Sequence, residues 1–376
     1  MAQRRLSMSD FVIGEPLQWD VFSDDRKLLL RKGQIVSNDR QVEVLVERGL
    51  YTDAPARHER HEEAQKLEAP SVLRLMNMVN KRLERLVYNL HGEPDAEAKI
   101  LEVVKAITFA SNINSDIALA CILLNQEAGS YAVRHGIDTA VISLLVARAM
   151  KKTPDEITLI VAAALTMNIG MLRQQDLLQV KEGTVSDKDR EVIHLHPQES
   201  VNLLQQAGIS NSDWLSYVLH HHENEDGSGY PQKKAGQDIP QNAKIIAAAD
   251  RYCACITSRL YRKPMLPNAA LRDLFAGGGK TIDSHLATFF IQELGLYPPG
   301  MAVRLQNGEI GVVTGKGKSP TTPIVHALIG PRGAPLSFAI KRETAKELYA
   351  VRDALQPEQA SMRFSMQQLW GDEARL

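Results

Sequence analysis

The sequence predicts a mainly α protein, an all-α helical bundle flanked by a small N-terminal α/β module and a small C-terminal β module. Three observations carry this prediction. Between positions 70 and 296 apolar residues recur at helical spacing almost without interruption. After Tyr297-Pro298-Pro299-Gly300 the texture changes to short β-rich runs around an Asn307-Gly308 turn. Residues 54–69 are charged and poor in apolar side chains, which marks a boundary between the bundle and whatever precedes it.

The elements follow in order. Residues 11–53 read as a mixed module, with apolar runs broken by turns at Ser23-Asp24-Asp25 and Lys32-Gly33. Within it, Val42, Leu45 and Val46 predict a helix over 39–48 that stops at Gly49. A linker and helix are expected over 54–94, and the helical domain proper over 95–296. Helices are predicted over 72–90, 95–127, 130–150, 154–172, 187–207, 213–222 and 242–259. Pro154 and Asp155 suit a first turn, and Gly208 suits a helix stop. The C-terminal module, 297–376, is expected to hold a hairpin through Ile310-Gly311-Val312-Val313 and a strand at 323–329, followed by a weakly specified tail. Lys316 and Lys318 in its glycine-rich loop read as a solvated turn.

Composition excludes several classes. With 44 Lys and Arg against 45 Asp and Glu, the net charge of -1 gives no field that would favour nucleic acid or an anionic membrane surface. Three cysteines, Cys121, Cys253 and Cys255, make no disulfide framework and suit a reducing compartment. Arg4 and Arg5 are followed by polar residues rather than an apolar stretch, and the most apolar segment, 158–172, is too short to cross a bilayer. A soluble cytoplasmic protein is expected.

The stretch that carries chemistry is His220-His221-His222-Glu223-Asn224-Glu225-Asp226-Gly227-Ser228-Gly229-Tyr230-Pro231. Neutral imidazoles are good ligands for transition metals, and neighbouring histidines at a helix end can present nitrogens to one ion or two. An isolated histidine pair before an Asp-Gly turn is more often a polar helix terminus. The glycines of 226–231 and the fixed exit direction at Pro231 instead describe a shaped loop beside the histidines.

Here the chain resembles the HD-GYP family, metal-dependent bacterial phosphodiesterases that hydrolyse cyclic di-GMP. The resemblance rests on His-His-Glu and Asp-Gly-Ser-Gly-Tyr-Pro, supported by Arg134-His135, His196-Pro197 and Ile245-Ile246-Ala247-Ala248-Ala249-Asp250 in the family's order. It covers roughly 130–264 and implies an HD-type helical bundle. It also implies metal-ligand positions at His135, His196, His221, His222 and Asp250, and a ligand or partner loop at Asp226, Gly227, Ser228, Gly229, Tyr230 and Pro231.

The departures are concentrated in one turn. Where the family carries its His-Asp pair followed by Ile-Gly-Lys, this chain has Met167-Asn168-Ile169-Gly170-Met171. Asn168 matches aspartate in shape but is neutral, Met167 offers a soft thioether, and Met171 removes a positive charge. Tyr131 stands where three-metal members carry an acid, and Cys253 where a second aspartate is usual. These losses imply a degenerate site with no catalytic residue assigned and a divalent metal, iron or manganese, held weakly or not at all. The expected ligand is cyclic di-GMP or a related nucleotide, with a signalling protein as a further partner through the Gly-Tyr-Pro loop. Three functions stay open: recognition without efficient hydrolysis, hydrolysis by a reduced metal site, and a structural scaffold.

Overall fold

The computed structural model describes residues 70–376 apart from 127, 261, 277, 278 and 361, and, of the first 69, residues 4–5, 11, 13–17, 19–23, 25–38, 42, 46 and 51–52. The chain forms two compact units, 1–69 and 70–376. Of the helix expected over 39–48, Val42 and Val46 are helical and the rest lies outside the described residues, as does the connector 54–69.

In the first unit, β1 (Arg4–Arg5), β2 (Val21–Phe22), β3 (Leu28–Leu30) and β4 (Tyr51–Thr52) form an antiparallel sheet of order β1-β4-β2-β3. Its core gathers Phe11, Leu17, Trp19, Val21, Val36 and Val42.

The second unit begins with eleven helices of eight residues or more among the described residues. They are α1 (Val72–Tyr88), α2 (Ala96–Ile113), α3 (Ser115–Leu124), α4 (Tyr131–Ala149), α5 (Pro154–Thr166), α6 (Leu172–Gln179), α7 (Asp187–Gln206), α8 (Ser212–His220), α9 (Gln241–Ile256), α10 (Pro267–Ala276) and α11 (Leu286–Leu294). Buried apolar residues from all of them except α6 meet in one continuous core. The all-α domain is therefore as the periodicity predicts, with two corrections to its helix boundaries.

The helix predicted over 95–127 is two helices bent by 110°. Asn114 takes an extended backbone conformation and its Oδ1 accepts from Asp116 N at 3.1 Å and Ile117 N at 3.2 Å, so it starts α3 rather than continuing α2. The helix predicted over 154–172 ends at Thr166. It opens on a Thr153–Glu156 capping box with Pro154 in the first turn, and after Met167 and Asn168 a 3₁₀ turn, Ile169–Met171, leads into α6. The stretch Pro154–Gln179 is apolar enough to cross a membrane by composition, and 61% of its most apolar window is buried inside the protein.

The C-terminal module is a five-stranded antiparallel sheet, β5 (Ala302–Leu305), β6 (Ile310–Gly315), β7 (Ile324–Ile329), β8 (Pro335–Glu343) and β9 (Val351–Leu355), ordered β8-β7-β6-β5-β9. Gly308, with φ +88°, makes the predicted β5–β6 turn, and Leu305 N closes it on Glu309 O at 2.8 Å. Glu309 accepts two hydrogen bonds of 2.7 Å from Arg342 of β8. Lys316 pairs with Glu293 at 2.6 Å.

The tail read as weakly specified is anchored. Trp370 Nε1 donates to Thr314 O at 2.8 Å, Asn114 Nδ2 donates to Glu373 Oε2 at 2.8 Å, and Ser71 Oγ donates to Arg375 O at 2.5 Å.

Candidate metal centre

Two backbone irregularities aim the central histidines. His196 lies inside α7 and is followed by Pro197, which has no N–H to offer the carbonyl four residues back. That carbonyl, Ile193 O, accepts instead from His196 Nδ1 at 2.6 Å. His221 caps the C-terminal end of α8, where the last carbonyls lack helical partners, and its Nδ1 donates to Val218 O at 2.6 Å. A carbonyl oxygen only accepts, so both Nδ1 atoms carry the proton.

Both Nε2 atoms of the neutral rings are then bare, yet they face each other at 3.2 Å. A shared proton would relieve this only by charging one ring. Burial opposes that, pushing His196 down to about 3 and His221 below its ordinary value. Two lone pairs held together in a sealed place suit a cation between them. With metal–nitrogen bonds of about 2.0–2.1 Å, two imidazole ligands of one ion fall roughly 3–3.5 Å apart.

His222 completes a cluster in which one ligand nitrogen from each of His196, His221 and His222 lies within 4.8 Å of the others. Burial holds its ring well below the ordinary histidine range. His220 is outside this cluster: its Nδ1 lies 2.7 Å from Ser216 O and its Nε2 3.1 Å from Gln232 Oε1.

The remaining two predicted ligands pair with each other. His135 Nε2 donates to Asp250 Oδ1 at 2.6 Å, with both residues buried. Burial alone would raise the Asp250 carboxyl, but the His135 hydrogen bond and the nearby imidazoles outweigh it and hold the group below the usual carboxylate range. Asp250 also acts electrostatically on His196, His221 and His222, so the five residues share one field.

The loop behind the histidines is fixed by its glycines and by a residue absent from the predicted set. Tyr230 N donates to His222 O at 3.2 Å, and an added Cβ on Gly229 would sit 2.5 Å from both that oxygen and Glu223 Cα. Asp226 Oδ1 accepts from Ser228 N at 3.0 Å, across Gly227 with φ +74°. The Tyr230–Pro231 peptide is cis. Buried Glu223 then accepts from Gln232 N at 2.7 Å and Lys234 N at 3.0 Å, tying the far side of the loop to the histidine pair. Tyr230 stacks between His222 and His194, at 4.7 and 4.6 Å between ring centroids. The His194-Leu195-His196 spacing was the available signal for the second contact.

A second wall, the turn after α5 that lies against α7, is built differently. Met167 is 0% exposed and its side chain belongs to the hydrophobic core. Asn168 is buried, and its Oδ1 has no hydrogen-bond partner. The backbone between them and α7 is nevertheless tight. Ser200 Oγ donates to Met167 O at 2.7 Å and accepts from Gly170 N at 3.0 Å. An added Cβ on Gly170 would lie 2.7 Å from His196 O. Ser200 is four residues beyond His196 on the same helix face, which is the signal by which the sequence could have named it.

Met171 is half-buried beside this turn. Tyr131 is buried near the His135 ring and its hydroxyl accepts from Arg259 at 3.0 Å; burial raises that phenol to about 12. Cys253 is fully buried, which pushes its thiol well up.

The bundle gathers histidines from α4, α7 and the C-terminal end of α8 around an aspartate from α9, a donor set that suits a metal ion. The comparison of sequences agrees: residues 117–286 match the family model described as HD domain. Within that match the chain is similar to curated cyclic di-GMP phosphodiesterases. It is 28% identical to the cyclic di-GMP phosphodiesterase PA4108 of Pseudomonas aeruginosa over 224 residues, 59% of this chain and 54% of that protein. It is 32% identical over 142 residues to the cyclic di-GMP phosphodiesterase response regulator RpfG of Xanthomonas campestris, 37% of each chain. A solved protein of Bdellovibrio bacteriovorus described as an HDG"Y"P protein overlays with a TM-score of 0.49 at 15% identity, covering 77% of this chain and 98% of that one. The chain spans about half the length, or less, of these curated relatives.

Proposed function

We propose that this chain serves cyclic di-GMP signalling as a receptor, binding the nucleotide at a reduced metal site without efficient hydrolysis. The observation that carries the reading is the burial of Met167 in the apolar core beside an Asn168 whose carbonyl oxygen has no partner. At the place where the family supplies a histidine and a bridging carboxylate, the chain offers neither. The histidine wall and the Gly-Tyr-Pro loop keep their donors.

On this reading His196, His221 and His222 would hold one divalent ion, iron or manganese, with Asp250 as the carboxylate and His135 as its partner or a further ligand. A bound ion would supply Lewis acidity toward a phosphoryl oxygen. The residues do the rest. The Ile193 and Val218 carbonyls keep both Nε2 atoms unprotonated, Asp250 offsets positive charge in the buried site, and Tyr230, with both ring faces covered by His222 and His194, offers a ligand its edge and hydroxyl. What is missing is the second carboxylate, which would place a second ion and help deprotonate a water. Met171, moreover, brings no charge to a phosphate.

The test uses the full chain. Metal content is measured by mass spectrometry, nucleotide binding by calorimetry, and hydrolysis by chromatography with manganese or iron supplied. Saturable binding of cyclic di-GMP with turnover at the buffer background is expected. Turnover that vanishes in His221→Ala would show an active phosphodiesterase instead. Neither binding nor turnover would leave the helical domain as a scaffold.

A further inference from the structure

A second cavity lies away from the histidine cluster, within the 70–376 unit, between the helical bundle and the C-terminal sheet. It measures about 370 Å³, inside the range of small-molecule pockets. Met265, Met301 and Phe364 supply apolar wall, and Gln179, Ser258 and Arg134 supply polar wall. Methionines suit a flexible aliphatic occupant, because an unbranched thioether repacks at little cost.

Arg134 is the only charged residue on this wall among the described residues. It bonds through one terminal nitrogen to Gly129 O at 2.5 Å and reaches Ala128 O at 3.5 Å. Its Nε is sealed from solvent and has no acceptor. Asp138, one turn further along α4, is within electrostatic reach, and the hydrogen bonds that Arg134 makes among the described residues go to the carbonyls of Gly129 and Ala128. Guanidinium stays charged at any working pH, and its second terminal nitrogen has no acceptor among the described residues. A vacant apolar space beside such a group is complementary to a molecule that is apolar at one end and anionic at the other.

We propose that this cavity binds an amphipathic carboxylic acid with a chain of about ten carbons, its carboxylate on Arg134 and its tail among Met265, Met301 and Phe364. The carboxylate takes the second terminal nitrogen of Arg134, since the first is held by Gly129 O and the Nε is sealed. The tail takes the space that neither the bundle nor the sheet fills. This inference does not depend on what the histidine site does.

Calorimetric titration of the full chain with decanoate and with decan-1-ol tests it. One decanoate per chain is expected, bound about tenfold more tightly than the alcohol, because only the acid engages the guanidinium. Arg134→Met should remove that tenfold preference while leaving the alcohol's affinity unchanged. Ala302→Phe, which adds a ring to the cavity wall, should abolish both. Absence of saturable binding to the wild type, equal affinity for acid and alcohol, or undiminished decanoate binding in Ala302→Phe would each overturn the proposal. The acid–alcohol comparison is made on the wild-type protein, so it decides the matter even where a variant fails to fold.

Discussion

The two walls of the histidine site are held by similar backbone devices and carry opposite side chains. On one wall, Gly229 lets the Tyr230 loop lie against His222 O, and Glu223 ties the loop down. On the other, Gly170 lets the 3₁₀ turn lie against His196 O, and Ser200 ties it down. The first wall presents imidazoles, the second a core methionine and an orphaned amide. Backbone placement and ligand supply are therefore separable. The fold needs the glycines and the tethers, while metal chemistry needs the donors, and the second wall has the first set without the second.

The sharpest way to break that comparison is to give the second wall donors of its own. Met167→His with Asn168→Asp should raise manganese-dependent hydrolysis of cyclic di-GMP by about a hundredfold or more over wild type, since general-base and metal contributions are each of that order. The same change puts polar groups where the wild type is 0–5% exposed, so the metal-free variant should lose about 2–3 kcal/mol in urea unfolding. No gain in turnover, with a folded and metal-loaded variant, would mean that these two positions are not what separates the walls.

The histidine wall should also be visible in the pH dependence of the metal-free protein. His196 is held near 3 by burial, below its unfolded value of about 6.5, and His221 and His222 are displaced the same way. Below about pH 6.5 the unfolded chain takes up protons that the folded chain refuses. Stability is therefore full above that pH and falls as the pH drops toward 3, by up to about 1.4 kcal/mol per pH unit for each such histidine. Urea midpoints between pH 7 and 4 measure this, and His221→Ala should flatten the slope. A flat wild-type profile would remove the argument that the rings are locked neutral.

A smaller effect is expected from the tether. Gly170→Ala places a methyl 2.7 Å from His196 O and 2.8 Å from Ser200 N, both backbone atoms with little room to yield. It should cost about 1–3 kcal/mol and weaken metal binding by moving α7, whereas a change at the open Gly183, which has no neighbour within 4 Å of such a methyl, reports only its positive φ.

Much of this was legible in the sequence because it depends on short-range pattern. The bundle follows from helical spacing, the β5–β6 hairpin from Asn307-Gly308, and the cluster of His196, His221 and His222 from a motif whose residues are neighbours or share an order with a known family. What was missed depends on long-range closure. Asn114 looked like an interior helix residue until its side chain was seen capping α3. The tail gained its order from Trp370, Glu373 and Arg375 meeting residues 56 to 304 positions away, which no local pattern encodes. Pro197 was read as part of a motif, but its physical role is to leave the Ile193 carbonyl to His196.

The smallest predicted effect isolates what Asn168 still does. Its Oδ1 is buried without a partner, and an unsatisfied polar group of this kind costs about 1–3 kcal/mol relative to an apolar one of similar shape. Asn168→Leu should therefore leave stability unchanged or raise it by about 1 kcal/mol, read as a small upward shift in the urea midpoint. Asn168→Asp should do the reverse in metal-free protein, because a buried carboxylate replaces a neutral amide, and the loss should be recovered on adding manganese, since an ion that binds only the folded state stabilises it. If Asn168→Leu instead destabilises and also lowers nucleotide affinity, the amide is making a contact that matters to the ligand. The second wall would then belong to recognition as much as the first.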